Sequence, residues 1–581
     1  MKILSLSLFS EIWPHSYPEY LILKSLCEKH QFKIDHLGCE SFFKSCMVHD
    51  SRQVSFSDKK IKKKVCDLCI DTRNQYVHNS EMNHLLINDY LSEANLIDIK
   101  KIINKVNQSN FMKLKVFNVE VSRFTLFNYF ISQKKSNIIF NDEEFEKFKL
   151  RLEDSLKSLY AFNNIIKKDK YDYILAFSTE YSLNRVCVEL AKQSGINILS
   201  IANGKHTVSK FKFIRISEGY DQGLYYHANK KWNDFVKRSI VNENFDYVEE
   251  YINSFLGSKT FMNYSSKYTS KSIRKFFNID KKYKKVVLVA LSSQDERSGD
   301  FFSNVRQSDT KNCHSKFFND DIEWCEWFLS KIDLFKDTYF VIRFHPRSFP
   351  SSRNIEKSDS INRINKISSQ KKDNLSFNFP DDDISIYDFL CEINLLLHSS
   401  SSTSFEFGLF GIPSLTYDKN LFYFPDDLSY SSENLGDYLN KINFLLVNDN
   451  YNNKKIIINA FKWLIIQLNH EFVDISDVYD PPTANSDKNL IYKYFLKVIN
   501  RIQKIIGINI IVRYLIKKNQ KPKNLYMLKD IFEKNLKSNL DITLKKNKGN
   551  ANQYEDFKKC KTIMLNVLKR YPKLHQFYYD L

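Results

Sequence analysis

Residues 394–418 read NLLLHSSSSTSFEFGLFGIPSLTYD: an apolar run, a turn of hydroxyl side chains, and a second apolar run. The pattern predicts a strand over 394–397 and a polar turn over 398–402. Thr403 and Ser404 then open a short helix that Gly411 ends, and a new strand starts at Pro413. A strand feeding a Ser/Thr-rich turn at a helix start offers backbone N–H groups and hydroxyls to an anion. A plain helix cap would place one such side chain there. Ser399, Ser400, Ser401, Ser402 and Thr403 in a row exceed that need, and the excess points to a phosphate site. Glu406, on the first turn, is placed to accept bonds from sugar hydroxyls.

Two more strand ends carry matching chemistry. The run over 286–291 leads into Ser292, Ser293, Asp295 and Glu296, and the run over 338–344 delivers Arg343, His345, Pro346 and Arg347. Arg and His at one strand end, with hydroxyls and helix N–H groups at the next, can grip a phosphate or diphosphate together. A different set belongs to the N-terminal half. The strand over 171–177 ends in Ser178, Thr179 and Glu180, and the strand over 196–202 closes on Asn203-Gly204-Lys205-His206. Ligands of open α/β sheets sit outside the carboxyl ends of strands, so these residues belong on the facing wall of a cleft. For transfer onto a hydroxyl, a base is needed across from the donor. Glu180 is the first candidate, with His206 and Asp295 as alternatives; Glu180 also suits the N-terminus of the following helix through its dipole.

Four cysteines, Cys39, Cys46, Cys66 and Cys69, are spaced C-x6-C-x19-C-x2-C. The C-x-x-C pair suits tetrahedral thiolate coordination of zinc, and four small apolar side chains near a core are the other reading. Either role is structural, because four thiolates leave zinc no open position.

The elements that must position these groups follow a β-α-β start: a strand over 2–9, a helix over 18–30 and a strand over 32–37. Residues 80–168 read as mostly helical, and 141–168 carries acids at its start and lysines at its end, as the helix dipole prefers. A polar, basic linker over 257–285 separates the halves, and 351–374 reads as a mobile loop. Beyond about 455 helices dominate. The expected domains are 1–270 on the acceptor side, 271–455 on the donor side, and a helical basic extension over 456–581.

The 581 residues, 43% hydrophobic and 15% aromatic, exclude a disordered chain. The net charge of +19 is spread beside abundant Asn, Ile and Tyr, without a zinc-finger, RNP or helix-turn-helix pattern. No nucleic-acid partner is therefore expected; a diffuse positive field attracts phosphorylated substrates or anionic lipid. No run of about 18 apolar residues is present, and serines interrupt the N-terminal MKILSLSLFSEIWP, which reads as a strand rather than a signal peptide. The expected location is cytoplasmic, peripheral on the inner face of the plasma membrane if the basic helix over 501–518 lies there rather than packing on the catalytic domains.

Through Ser292-Ser293-x-Asp295-Glu296, the His345-Pro346 pair in VIRFHP, and the serine motif with its Glu406-x4-Gly411-x-Pro413 tail, the sequence resembles bacterial capsule and surface polysaccharide biosynthesis proteins of the GT-B glycosyltransferase type. The likeness covers about residues 285–420. Similar motifs occur in bacterial sialic acid and Kdo transferases, and in CDP-glycerol polymerases. The resemblance implies an α/β, GT-B-like fold: two Rossmann-like domains facing a cleft, with a helical C-terminal extension. It implies metal-independent sugar transfer from a nucleotide-activated donor, a CMP-sugar such as CMP-Kdo, to a surface polysaccharide or lipid-linked glycan. His345, aided by Arg343, would neutralise donor phosphate; Ser400, Ser401, Ser402 and Thr403 would hold it, and Glu406 would bind the ribose or sugar. Related chains carry Asn-Gly-Arg where this one has Ser178-Thr179-Glu180. The competing classes are polyol-phosphate transfer from CDP-glycerol, a sugar-nucleotide 2-epimerase, and a non-enzymatic basic scaffold for membrane or RNA.

Overall fold

Runs such as YILAF at 173–177 and KVVLVA at 285–290 are apolar almost throughout, as strands covered on both faces by crossover helices must be. The computed structural model describes residues 1–55, 57–203, 213–219, 226–240, 246–257, 265–303, 315–351, 354–421, 424–448, 453–469, 472–475, 498–499, 502–503, 508–518 and 553–581. Within them the chain builds two sheets.

In the first, β1 (Lys2–Leu6), β2 (Lys33–Gly38), β3 (Asn83–Leu86), β4 (Tyr173–Phe177) and β5 (Asn197–Asn203) run parallel in the order β3-β2-β1-β4-β5, and β6 (Phe213–Glu218) pairs antiparallel with β5. In the second, β7 (Lys285–Ala290), β8 (Thr338–Arg343), β9 (Leu375–Asn378), β10 (Leu395–His398), β11 (Ser414–Thr416) and β12 (Tyr430–Ser431) are all parallel in the order β12-β11-β10-β7-β8-β9. Both orders reverse direction once, between β1 and β4 and between β7 and β10. A crevice opens at such a point beyond the strand ends, and it is where open α/β sheets take ligands. The fold is thus the α/β, GT-B-like pair of Rossmann-like sheets that the sequence implied.

Strand alternation divides the packing. Val286, Leu288 and Ala290 enter the core on one face of the second sheet, while Val287, Val289 and Leu291 enter the other. The chain crosses between the two units more than once. Helices Tyr226–Phe235 and Asp246–Leu256 share a core with the later helices Asn453–Asn469, Gln553–Leu568 and Pro572–Asp580, around Trp232, Trp463 and Tyr578. A last strand, β13 (Phe472–Asp474), returns to pair antiparallel with β6.

Several elements depart from the sequence reading. The stretch over 80–168 contains β3, an edge strand too short to show a period. The expected loop over 351–374 contains the helix Ile361–Ser368, seated by buried Ile364 and Ile367. The basic segment over 501–518 includes the helix Ile510–Lys518, whose Ile511, Val512 and Leu515 are buried in the first unit. Asn509 donates to Thr72 Oγ1 at 2.9 Å, and Arg513 pairs with Asp71. On this described helix the apolar side chains pack within the protein. No helix among the described residues is long and apolar enough to cross a bilayer.

One buried acid lies against β1. Glu19 accepts from Ser5 Oγ at 2.5 Å and Ser7 Oγ at 2.6 Å, and burial pushes its pKa up to about 7 against those bonds. The folded state therefore holds this proton more tightly than the unfolded chain, and stability is lost as pH rises from about 4.5 through 7. Glu19→Gln removes that term. Denaturant unfolding across this range should show the variant gaining about 3 kcal/mol on the wild type as pH rises; a constant difference would refute the assignment.

Candidate functional site

The ends of β7, β8 and β10 meet the end of β4 across a cavity of about 990 Å³, at the upper range for small-molecule sites. On the second unit's wall stand Arg343, His345, Ser401, Ser402, Thr403 and Glu406. His345 Nδ1 accepts the backbone N–H of Arg347 at 3.2 Å, so the neutral ring carries its proton on Nε2. Burial pushes its pKa down to about 4; Glu296 opposes that shift, while Arg347 and Arg343 add to it. At neutral pH His345 is accordingly a hydrogen-bond donor rather than a cation. Positive charge comes from Arg343, which burial lowers only to about 10 and which Asn378 Oδ1 anchors.

The hydroxyl turn is folded on itself. Thr403 Oγ1 donates to Ser401 Oγ at 2.8 Å, and Ser404 Oγ donates to Ser401 O at 2.9 Å. Ser402, at the cap of the six-residue helix Thr403–Gly408, makes no side-chain capping bond. Glu406 is held by two phenols, Tyr251 and Tyr387, each donating at 3.2 Å to a different carboxylate oxygen. Gly411 ends the turn that follows with φ +73°, a conformation that other residues adopt only under strain.

Asp321 ties this wall together. Its Oδ2 accepts the Ser292 N–H and the Ser399 hydroxyl, both at 2.8 Å, and its Oδ1 pairs with Arg297. Ser292 Oγ lies 2.8 Å from Ser399 Oγ and donates to Ser400 O at 2.9 Å. Thus the β7 and β10 ends are fixed to each other at the switch point by a buried carboxylate.

On the facing wall, Ser178 has φ +56°, which turns the chain sharply at the β4 end and sets Glu180 and Tyr181 against the cavity. Asn184 Nδ2 donates to Phe177 O at 3.1 Å, and Ser182 N–H donates to Asn128 Oδ1 at 2.8 Å. Asp50, also at the cavity, is held by a two-point bond from Arg151, at 2.7 and 2.8 Å. The two units are clasped beside the cavity. Phe130 and Phe302 stack edge to face at 5.6 Å, Ser298 Oγ donates to Ser136 O at 2.8 Å, and Lys134 Nζ donates to Phe349 O at 2.8 Å.

The sequence-predicted residues fall into three groups. Glu180, Arg343, His345, Ser401, Ser402, Thr403 and Glu406 line the cavity together. Ser292, Ser293 and Ser400 do not: Ser292 and Ser400 belong to the Asp321 network, and Ser293 Oγ donates to Asp295 Oδ1 at 3.0 Å. Asp295 is also outside the cavity lining, buried in a two-point pair with Arg347, so a base role there would first require that pair to break. Its neighbour Glu296 lines the cavity instead. His206 lies outside the described residues. Asp321, Asn378, Tyr251 and Tyr387 were not singled out from the sequence. An acid shortly before the apolar residues of a helix marks Asp321 only as a helix-start residue.

Cys39, Cys46, Cys66 and Cys69 come together around a separate small cavity with His49, whose Nε2 is 3.4 Å from Cys66 Sγ. Burial raises the pKa of all four thiols, Cys69 to about 12. No group of three His, Cys, Asp or Glu side chains among the described residues is arranged ready to hold an ion.

No family model and no curated protein matches the chain. Solved structures that align with it include the UDP-GlcNAc 2-epimerase of Neisseria meningitidis bound to UDP-GlcNAc, at 10% identity over 81% of this chain and 99% of that one, TM-score 0.22. The Thermosulfurimonas dismutans KpsC, a beta Kdo 2,4 transferase, aligns at 12% identity over 51% of this chain and 79% of its own, TM-score 0.29. The S. aureus MnaA–UDP structure aligns at 10% identity over 88% and 97%, TM-score 0.25. Scores this low carry no assignment of activity.

Asp321→Asn keeps the side chain's size but removes the charge that Arg297 and two serine donors share. Breaking one partner of a buried pair costs about 3 kcal/mol or more. Denaturant unfolding should register that loss; a change below about 0.5 kcal/mol, the usual limit for surface substitutions, would contradict the network.

Proposed function

We propose that the chain is a glycosyltransferase that moves a sugar from a nucleotide-activated donor, a CMP-sugar such as CMP-Kdo, onto a bacterial surface polysaccharide or lipid-linked glycan. One observation carries this reading: Arg343, His345 and the Ser401–Thr403 turn share a wall at the β7/β10 switch point, with a carboxylate, Glu180, on the facing wall.

The donor's phosphate lies against Arg343, the His345 Nε2–H and the hydroxyl turn, while Glu406, fixed by Tyr251 and Tyr387, accepts bonds from the ribose. An acceptor hydroxyl enters from the first unit and attacks the anomeric carbon. Glu180 takes its proton as the new bond forms, and the nucleotide phosphate leaves with the electron pair of the broken bond. Charge growing on that phosphate falls on donors already in place, which lowers the barrier without rearrangement. No metal is needed in this scheme.

A thermal-shift panel of CMP, CDP, UDP and GDP tests the donor side. Cytidine nucleotides should stabilise the protein selectively, by about 2.7 kcal/mol at a hundredfold excess over Kd. His345→Ala should abolish the shift with the fold intact. No response to any nucleotide, or full affinity in the variant, would overturn the assignment.

Glu180→Gln tests the base separately. It should leave the nucleotide shift unchanged and lower kcat by roughly 10²–10⁴. Wild-type turnover in that variant would remove Glu180 from the chemistry.

A further inference from the structure

The helix Lys59–His78 begins KKIKKK, with a lysine at every position but one. Cations suit the last turn of a helix and oppose its dipole at the first. Lys59 and Lys63 also lie one turn apart, as do Lys60 and Lys64, and like charges so placed repel. Packing does not explain the run. Lys59, Lys60, Lys63 and Lys64 are exposed and Lys62 is part-buried. The helix is seated instead by Val65, Cys66, Leu68, Thr72 and Tyr76, further along.

Nor are these charges neutralised. Elsewhere in the first unit lysines pair with acids, Lys44 and Lys157 with Glu153, Lys135 with Glu144, and Lys147 with Glu143. Among the described residues, none of the lysines at 59–64 makes an ion pair. Asp58 serves as the helix cap, accepting the Ile61 N–H at 2.9 Å, and the next acid on the helix is Asp67.

The run also lies beside the large cavity. Lys59–His78 is part of the crossover between the parallel strands β2 and β3, so it starts on the side of the sheet where the strands end and the cavity opens. Gln53 lines that cavity, and the chain from there to Lys59 spans at most about 22 Å. Ile61, 49% exposed, stands among the lysines, and no aromatic side chain in the run offers a nucleic-acid base a platform. An exposed apolar side chain among long cations fits a lipid surface: the hydrocarbon enters between headgroups and the ammonium groups meet lipid phosphates.

We propose that residues 59–64 dock the protein on an anionic phospholipid bilayer. Attachment is peripheral: each lysine near the surface adds attraction, salt screens it, and the helix stays folded on its sheet. Such a surface would hold a lipid-linked acceptor close to the cavity, but the docking itself does not depend on the sugar-transfer reading.

Vesicle sedimentation of the full-length protein tests this, with vesicles of phosphatidylcholine alone or mixed with phosphatidylglycerol. Wild type should bind the mixed vesicles and come off in high salt. Lys59→Gln/Lys60→Gln/Lys63→Gln/Lys64→Gln should weaken that binding by about tenfold or more. Lys281→Gln/Lys282→Gln/Lys284→Gln/Lys371→Gln removes the same charge from exposed positions of the second unit and should bind as wild type does. No binding to mixed vesicles, equal binding to pure phosphatidylcholine, or equal loss in the two variants would each overturn the proposal. So would tighter binding of a poly(U) oligonucleotide that the first variant loses, which would make the run a nucleic-acid surface. The nucleotide thermal shift reads the cavity separately, and both variants should keep it.

Discussion

A single buried carboxylate sets the geometry of the second unit's cavity wall. Parallel strands on either side of a switch point diverge, because their crossover helices leave to opposite faces of the sheet. Something must hold the two strand ends at the spacing a ligand needs. Asp321 does so by accepting from the backbone after β7 and from a hydroxyl after β10, with Arg297 balancing its charge. Once those ends are fixed, the hydroxyl turn and β8's Arg343 and His345 face one volume. Charged hydrogen bonds of this kind are strong only where water is excluded, and Asp321 is almost fully buried.

The first unit uses the same topological device differently. Its switch point lies between β1 and β4, and the turn after β4 is forced through the left-handed region at Ser178. Such a conformation persists when its neighbours hold it, as Asn184 and Asn128 do here. The result is a carboxylate, Glu180, just beyond a strand end, lining the same cavity as Arg343, His345 and the hydroxyl turn. Between the units, the helix Val121–Gln133 and the helix Gln294–Ser303 pack face to face beside the cavity, so cleft width is a property of the packing rather than of a linker.

How much of this could be read in advance depended on whether the signal was local. The VIRFHP strand and the serine turn were legible because an apolar run followed by particular polar residues is written within ten positions. The two-sheet architecture was legible for the same reason, since strands buried on both faces need continuous apolar runs. Partnerships between distant residues were not. Ser292 looks like a ligand-binding hydroxyl until Asp321 and Ser399 are seen to occupy it. Asp295 looks like a base until Arg347, more than fifty positions on, is seen to pair with it. Likewise the helix Ile361–Ser368 is seated by two isoleucines in an otherwise polar stretch, too few to establish a period.

On the proposed function, three separate strand ends act as one binding surface. Hydrogen exchange followed by mass spectrometry, with and without saturating CMP, reads all three at once. Exchange should slow together in peptides covering 290–300, 342–350 and 398–408, with little change in the outer helices of either sheet. Slowing in one of these segments alone, or in none while CMP is bound, would contradict it.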